Sequence, residues 1–268
     1  MTNQTTNAED SSQRRRKILL RIRLLIGQLG VGVLFVLFWQ WIYNLKIIKP
    51  LVARSPEQVW RFLIKIIEDG TLWPALYSTV EATLISFVLG SVVGIIIGIG
   101  LGLFPLIESL TEPYLNAINA MPRIAFAPVF VLLFGIEQSA KVALAFSVIV
   151  FILIVNARAG IRTVDRDILL MAKVMNITKY QMFNKILLPS AIPSIFAGLR
   201  LGMIYGLLGV TTSEILASKV GLGQLIAWYA GTFVLEGVYA VVLVLAVIAS
   251  LLNWVMGVLE IRLLKNRV

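Results

Sequence analysis

The chain has 268 residues, 59% of them hydrophobic and 14% charged, with a mean hydropathy of +0.90; soluble domains run near half apolar and a quarter charged, so polar side chains here are too few to cover a water-facing surface. It contains neither cysteine nor histidine, which excludes disulfides, thiolate nucleophiles, iron–sulfur ligation and every catalytic arrangement built on an imidazole. The formal charge of +10 sits between long apolar runs, the pattern of basic flanks around membrane spans and not of a nucleic-acid surface.

In chain order, MTNQTTNAEDSSQ is polar and of low complexity, and RRRKILLRIR follows it. Residues 1–23 read as a basic, partly disordered cytoplasmic tail. The apolar run 24–45 is too long for the core of a secretory signal and has no small-x-small cleavage site, so it reads as an uncleaved first span. A crossing helix needs about 20 residues at about 1.5 Å each. Runs 82–107 and 237–259 meet that length, and 124–136 and 142–157 meet it by borrowing from their flanks. Run 190–212 spans if Arg200 is tolerated inside it. The expectation is an all-α polytopic membrane protein of six transmembrane helices, with residues 24–268 as the membrane domain and both termini on one side. Counting Lys and Arg by loop places sixteen on the side of the termini (Arg123 among them) and seven on the other, which makes the termini cytoplasmic.

In the second run, GSVVGIIIGIGLG puts Gly90, Gly94, Gly98 and Gly102 four residues apart. That spacing lines one helix face with positions lacking side chains, where a second helix backbone approaches closely. A nucleotide-binding reading fails, since no strand precedes these glycines and no acidic partner follows them.

Residues 158–189 form the most polar stretch of the second half. Ile168, Met171, Val174 and Met175 fall at helical spacing as an apolar stripe, and Asn176 suits a left-handed helix stop. Thr178 and Gln181 then fit a capping box that starts a second helix, and Pro189 marks the join to the following span. A water-side apolar stripe must be covered, either by lipid as an interfacial helix or by a soluble partner.

This segment resembles the cytoplasmic signature of ABC importer permeases, E-A-A-x3-G-x9-I-x-L-P. Ile186, Leu188 and Pro189 match its end, Asn176 stands at the glycine, and Leu170-Met171-Ala172 stands at E-A-A with only Ala172 agreeing. STVEATLISFVLGSVVGIIIGIGLG, EPYLNAINAMPRIAFAPVFVLLFGI, NARAGIRTVDRDILLMAK, LPSAIPSIFAGLRLGM and SEILASKVGLGQLI together resemble the nitrate/sulfonate/taurine/bicarbonate subfamily over residues 75–265. The resemblance implies a type I ABC permease (MetI-like) fold working as a homodimer in the cell inner membrane. It implies a coupling helix, carrying Ile168, Leu170, Met171, Ala172, Val174, Met175 and Asn176, that docks on a cytoplasmic ATPase. An extracytoplasmic solute-binding protein would deliver a small anion or organic acid, with vitamin-precursor solutes as the alternative. The chain has no G-x4-G-K-[ST], so no nucleotide site of that kind is expected on it; ATP and magnesium would belong to the partner ATPase.

Arg200 is the one basic residue expected deep in a span, where facing lipid would cost about 2.5–3.5 kcal/mol. It therefore serves either an anionic solute in the translocation path or a structural pairing with carbonyls or a carboxylate. Glu81, Glu214 and Glu236 read as solvated boundary residues, Glu214 also lying near the outer mouth of the path. An ion-coupled secondary transporter would show buried acids or broken helices repeated in two halves, and neither is apparent. A membrane enzyme lacks its parts, and a non-transporting assembly subunit is suggested only by the missing acid of E-A-A.

Overall fold

A computed structural model describes the backbone of residues 3–46 and 52–265, with side chains between residues 23 and 263 except 25 and 47–51. The side chains of the basic tail before Arg23, of Lys49 and of Lys265 and Arg267 lie outside those described. The chain divides into two units, Met1–Phe62 and Leu63–Val268.

In the first unit, α1 (Asn3–Asn44) takes in both the polar N-terminal stretch and the first apolar run. Its side chains Leu29, Phe35 and Trp41 are exposed, as a lipid-facing helix requires. Trp39 Nε1 donates to the carbonyl of Arg54 at 3.0 Å, fixing the chain just before α2 (Pro56–Glu68).

The second unit holds the bundle. Helix α3 (Leu72–Leu103) begins ten residues before the apolar run predicts and ends four residues before it. The early stop has a local cause: Phe104 precedes Pro105 and leaves the helical region (φ −117°, ψ 84°), and Pro105 then opens α4 (Pro105–Ala120) at its first turn. Met121, before Pro122, is extended, and a 3-10 turn (Arg123–Phe126) leads into α5 (Ala127–Phe134). The two halves, Pro105–Ala120 and Arg123–Phe134, are bent by 77°. Counted as one span, the third is a broken pair starting at Pro105. Arg123, placed by the sequence in a loop before that span, sits at its bend.

Helix α6 (Gln138–Arg162) follows, then α7 (Arg166–Val174), α8 (Lys179–Met182), a π-helical turn (Phe183–Leu187) and α9 (Leu188–Leu216). The π turn answers Pro189, whose missing N–H breaks the regular ladder; Leu188 N donates five residues back to Phe183 O. Short α10 (Leu222–Gly231) and the last span α11 (Leu235–Lys265) complete the chain. Among the described residues five helices are long and apolar enough to cross a membrane, and counting the bent pair as one makes six.

Helix α6 packs along both α3 and α9, around a core of Ala82, Ala145, Ile149, Leu153 and Val210. Glycine makes this possible from both sides. A Cβ built on Gly90 would lie 2.8 Å from Ile149, one on Gly94 2.6 Å from Leu153 and the carbonyl of Val150, one on Gly98 2.6 Å from the carbonyl of Ile154, and one on Gly102 2.8 Å from Ile161. On the other side Gly198, Gly202 and Gly206 repeat the four-residue spacing along α9 and meet Asn156, Leu153 and Ile149. Ile149 and Leu153 are thus seated between two glycine ladders. The second ladder was present in AGLRLGMIYG and is not predicted by the sequence reading above.

Candidate functional site

The loop after α6 builds its geometry from its own sequence. Asp165 caps α7 by accepting from the Asp167 amide at 2.9 Å. The helix closes on Asn176, which takes φ 53°. The Asn176 amide donates to Lys173 O at 3.0 Å and the Ile177 amide to Ala172 O at 3.3 Å, the paired bonds of a Schellman stop. Thr178 N donates to Gln181 Oε1 at 3.0 Å while Gln181 N donates to Thr178 Oγ1 at 3.2 Å, a complete capping box for α8. Ile168, Leu170, Met171, Val174 and Met175 are all exposed, Val174 the most at 87%. Ala172 is different: it is buried, so it belongs to the seat of α7 on the chain and not to the exposed stripe.

The C-terminal end of α6 is held by Glu108, a carboxylate that the sequence analysis did not single out. Glu108, in the first turn of α4, is 1% exposed; its Oε2 accepts from Arg162 Nη2, and Arg158 Nη1 lies 3.4 Å from its Oε1. Arg158 also lies 3.9 Å from Glu112. Counted as a loop cation in the sequence, Arg158 is on α6 and largely covered. These pairs tie α4 to the last turn of α6, four residues before α7 begins. PLIESL gave a signal, because a Pro-initiated helix with an acid in its first turn is readable from sequence.

At the opposite end of α6 stands a second cluster. Lys141 Nζ lies 3.0 Å from Glu214 Oε1 of α9, and donates to Ser78 Oγ at 2.8 Å and Val220 O at 2.5 Å. Thr79 Oγ1 of α3 is 3.0 and 2.9 Å from the two Glu214 oxygens and accepts from the Leu222 amide at 2.9 Å. The Gly223 amide donates to Glu214 Oε2 at 2.9 Å. The expectation of a solvated Glu214 is corrected: it is 1% exposed, because α3, α6 and the 217–223 turn close over it and supply three polar partners, the Thr79 hydroxyl, the Lys141 ammonium and the Gly223 amide, in place of water. Gly221 has φ +151°, and a Cβ there would collide with the Glu214 carboxylate, so the turn requires glycine for both conformation and space.

Arg200 Nη2 pairs with Glu260 Oε2 of α11 at 2.8 Å, the two side chains 43% and 28% exposed. Of the alternatives drawn from sequence, the structure supplies the carboxylate partner. Arg123 is not so paired: its guanidinium lies 4.3 Å over the Phe151 ring, and Nη2 donates to Asn119 Oδ1 at 3.1 Å and Ile118 O at 3.4 Å. Among the described residues no group of three or more acidic, histidine or cysteine side chains could hold a metal ion.

Five helices long and apolar enough to cross a membrane, six with the bent pair counted as one, together with an exposed apolar helix on a polar loop, define a polytopic membrane protein. Comparison with known proteins gives the family. Residues 90–265 match the binding-protein-dependent transport system inner membrane component family, and the chain belongs to it. It is 29% identical over 242 residues to the taurine transport system permease protein TauC of Escherichia coli, covering 88% of each. It is 31% identical over 228 residues to the riboflavin transport system permease protein RibX of Chloroflexus aurantiacus, covering 85% of each. The fold resembles a chain of the MetNI methionine ABC transporter in an inward-facing conformation, with a TM-score of 0.63 at 16% identity over 71% of this chain and 95% of that one. The protein is thus a multi-pass inner-membrane permease of an ABC importer, with a MetI-like fold.

Proposed function

We propose that two copies of this chain form the translocation path of an importer for small organic anions of the sulfonate or carboxylate class, driven by a separate ATPase. A solute-binding protein delivers the solute from outside, ATP and magnesium are held by the ATPase, and both termini of the permease are cytoplasmic. Helix α7 is the coupling helix. Closure of the ATPase dimer moves it, and α8, the π turn and α9 pass that movement into the bundle as alternating access. Ile168, Leu170, Met171, Val174 and Met175 form the docking face, Asn176 the corner, and Thr178, Gln181 and Pro189 the joint to α9. Arg200 and Glu214 act through the bundle, holding α11 and the outer turn.

The observation that carries this reading is the exposed apolar stripe of α7 on a helix stopped and restarted by two complete capping motifs. A rigid apolar face outside the spans is costly in water, so its burial on a partner supplies the docking energy. Similarity to the taurine permease supports the sulfonate class, and similarity to the riboflavin permease keeps a vitamin-type solute as the second reading. The test is Met171→Asp. Co-purification with the ATPase and ATP-driven uptake in proteoliposomes should both be lost while the permease still inserts; full retention of both would return α7 to an interfacial helix lying on lipid.

A further inference from the structure

The bend of the broken span holds a cation at the wrong depth for a loop residue. Arg123 lies over Phe151, and Phe151 stands at the middle of α6, with about half of the helix on either side. Its guanidinium is therefore near mid-membrane. Facing lipid there would be strongly unfavourable. Among the described residues no carboxylate pairs with it; its hydrogen bonds run from Nη2 to Asn119 Oδ1 and Ile118 O. The acid nearest along α4 that could have neutralised it, Glu112, faces Arg158 instead. Arg200, by contrast, already has Glu260.

A second observation points the same way. Along α4, Glu112, Asn116 and Asn119 follow one another at three- and four-residue steps, so they share one face that runs from the inner end of the span towards the bend. All three are exposed. Polar side chains left open along a membrane helix face a water-filled path or protein, not hydrocarbon. The stripe leads from the end fixed by Glu108, Arg158 and Arg162 to Arg123.

We propose that this face of α4 lines the inner half of the translocation path and that Arg123 binds the solute's anionic group at the bend. A guanidinium presents a planar fork that matches sulfonate and carboxylate oxygens, and Phe151 holds its face so that an edge stays open to the path. The solute class is a small organic oxyanion. This inference rests on the importer reading above, and it places the selective contact at Arg123 and not at Arg200.

The chain has no cysteine, so one introduced thiol can be read cleanly. Asn119→Cys, in the permease–ATPase complex, is treated with two water-soluble methanethiosulfonates, one carrying ethanesulfonate and one carrying trimethylammonium. Labelling of the permease should proceed about tenfold faster with the sulfonate reagent, because a fixed cation concentrates anions in a low-dielectric path. Adding Arg123→Gln should abolish that preference, and Arg123→Lys should keep part of it. Equal rates with both reagents, no labelling at all, or a preference that survives Arg123→Gln would each overturn the site. Uptake of labelled ethanesulfonate by proteoliposomes is measured alongside. If the charge preference holds while no sulfonate is moved, the anion-import reading fails and the site stands; sulfonate uptake without the preference removes the site alone.

Discussion

Lys141 and Glu214 form a fully enclosed ion pair, 3.0 Å apart with side chains 3% and 0% exposed, that joins the start of α6 to the end of α9. Both charges would be costly alone in this setting. They persist because Ser78, Thr79, the Val220 carbonyl and the Gly223 amide satisfy the remaining donors and acceptors. The pair also fixes the 217–223 turn, since that turn contributes a carbonyl to Lys141 and an amide to Glu214. A change in the distance between α6 and α9 would therefore be felt at once in the 217–223 turn.

Breaking the pair from one side should be far worse than removing it. Glu214→Gln or Lys141→Met leaves one buried charge uncompensated and should cost about 3–5 kcal/mol. The double variant should recover most of that loss. Unfolding in mixed detergent and dodecyl sulfate micelles measures it; a double variant as unstable as the sum of the singles would show that the two residues act independently.

A nearby exposed pair should behave in the opposite way. Lys219 Nζ lies 2.5 Å from Glu137 Oε1, with both side chains 63% exposed. The Lys219 hydrogen bond and charge hold the Glu137 carboxyl below the ordinary glutamate range. Because the folded value is depressed, the stabilisation is present above the unfolded value and fades as pH falls through the folded one. Glu137→Gln should thus differ slightly from the wild type near neutral pH and not at all in acid, and added salt should erase the difference. Paired unfolding curves at neutral and acidic pH, each at low and high salt, check this.

The glycine ladders make a graded prediction. Gly98→Ala brings a Cβ within 2.6 Å of the Ile154 carbonyl, a backbone atom that cannot rotate away. Gly100→Ala, two residues on, meets nothing within 4 Å. The first should cost about 1–3 kcal/mol through forced separation of α3 and α6, and the second should be neutral or slightly stabilising. Equal effects would mean that α3 packs on α6 through another face.

How much of this was legible beforehand depends on the range of the interaction. Local features were readable: the stripe Ile168–Met171–Val174–Met175, the Asn176 stop, the Thr178–Gln181 box and the glycine spacing from Gly90 to Gly102 all depend on neighbours within one or two turns. Hydropathy counting failed where a span is interrupted. It ran the second span through Pro105 and so hid both the start of α4 and Glu108, and it put Arg123 in a loop because it could not show that residues 105–120 and 123–134 form one bent crossing. Pairings across the bundle had no local trace. Lys141 and Glu214 lie 73 residues apart, and only the packing of α6 between α3 and α9 brings them together. Arg200 falls within α9, yet its partner Glu260 stood one residue beyond the apolar run and went unconnected.

The corner at Asn176 separates stability of the bundle from transmission through the loop. Its φ of 53° places it in the left-handed region, which glycine enters freely, asparagine enters at modest cost, and a β-branched residue enters only under strain. Asn176→Gly should therefore preserve the Schellman bonds of Asn176 to Lys173 and of Ile177 to Ala172, and ATP-driven uptake should stay within about twofold of the wild type. Asn176→Val should disfavour that corner by about 1–2 kcal/mol and re-aim α7 relative to α8. Because the side chain is exposed and remote from the core, unfolding of the bundle should change little. Uptake should fall while the ATPase still co-purifies, and hydrolysis should respond less to delivered solute. If Asn176→Val transports normally, the angle between α7 and α8 is not what carries the movement into α9; the load then passes through the buried Ala172 seat, and Ala172→Asp becomes the decisive variant.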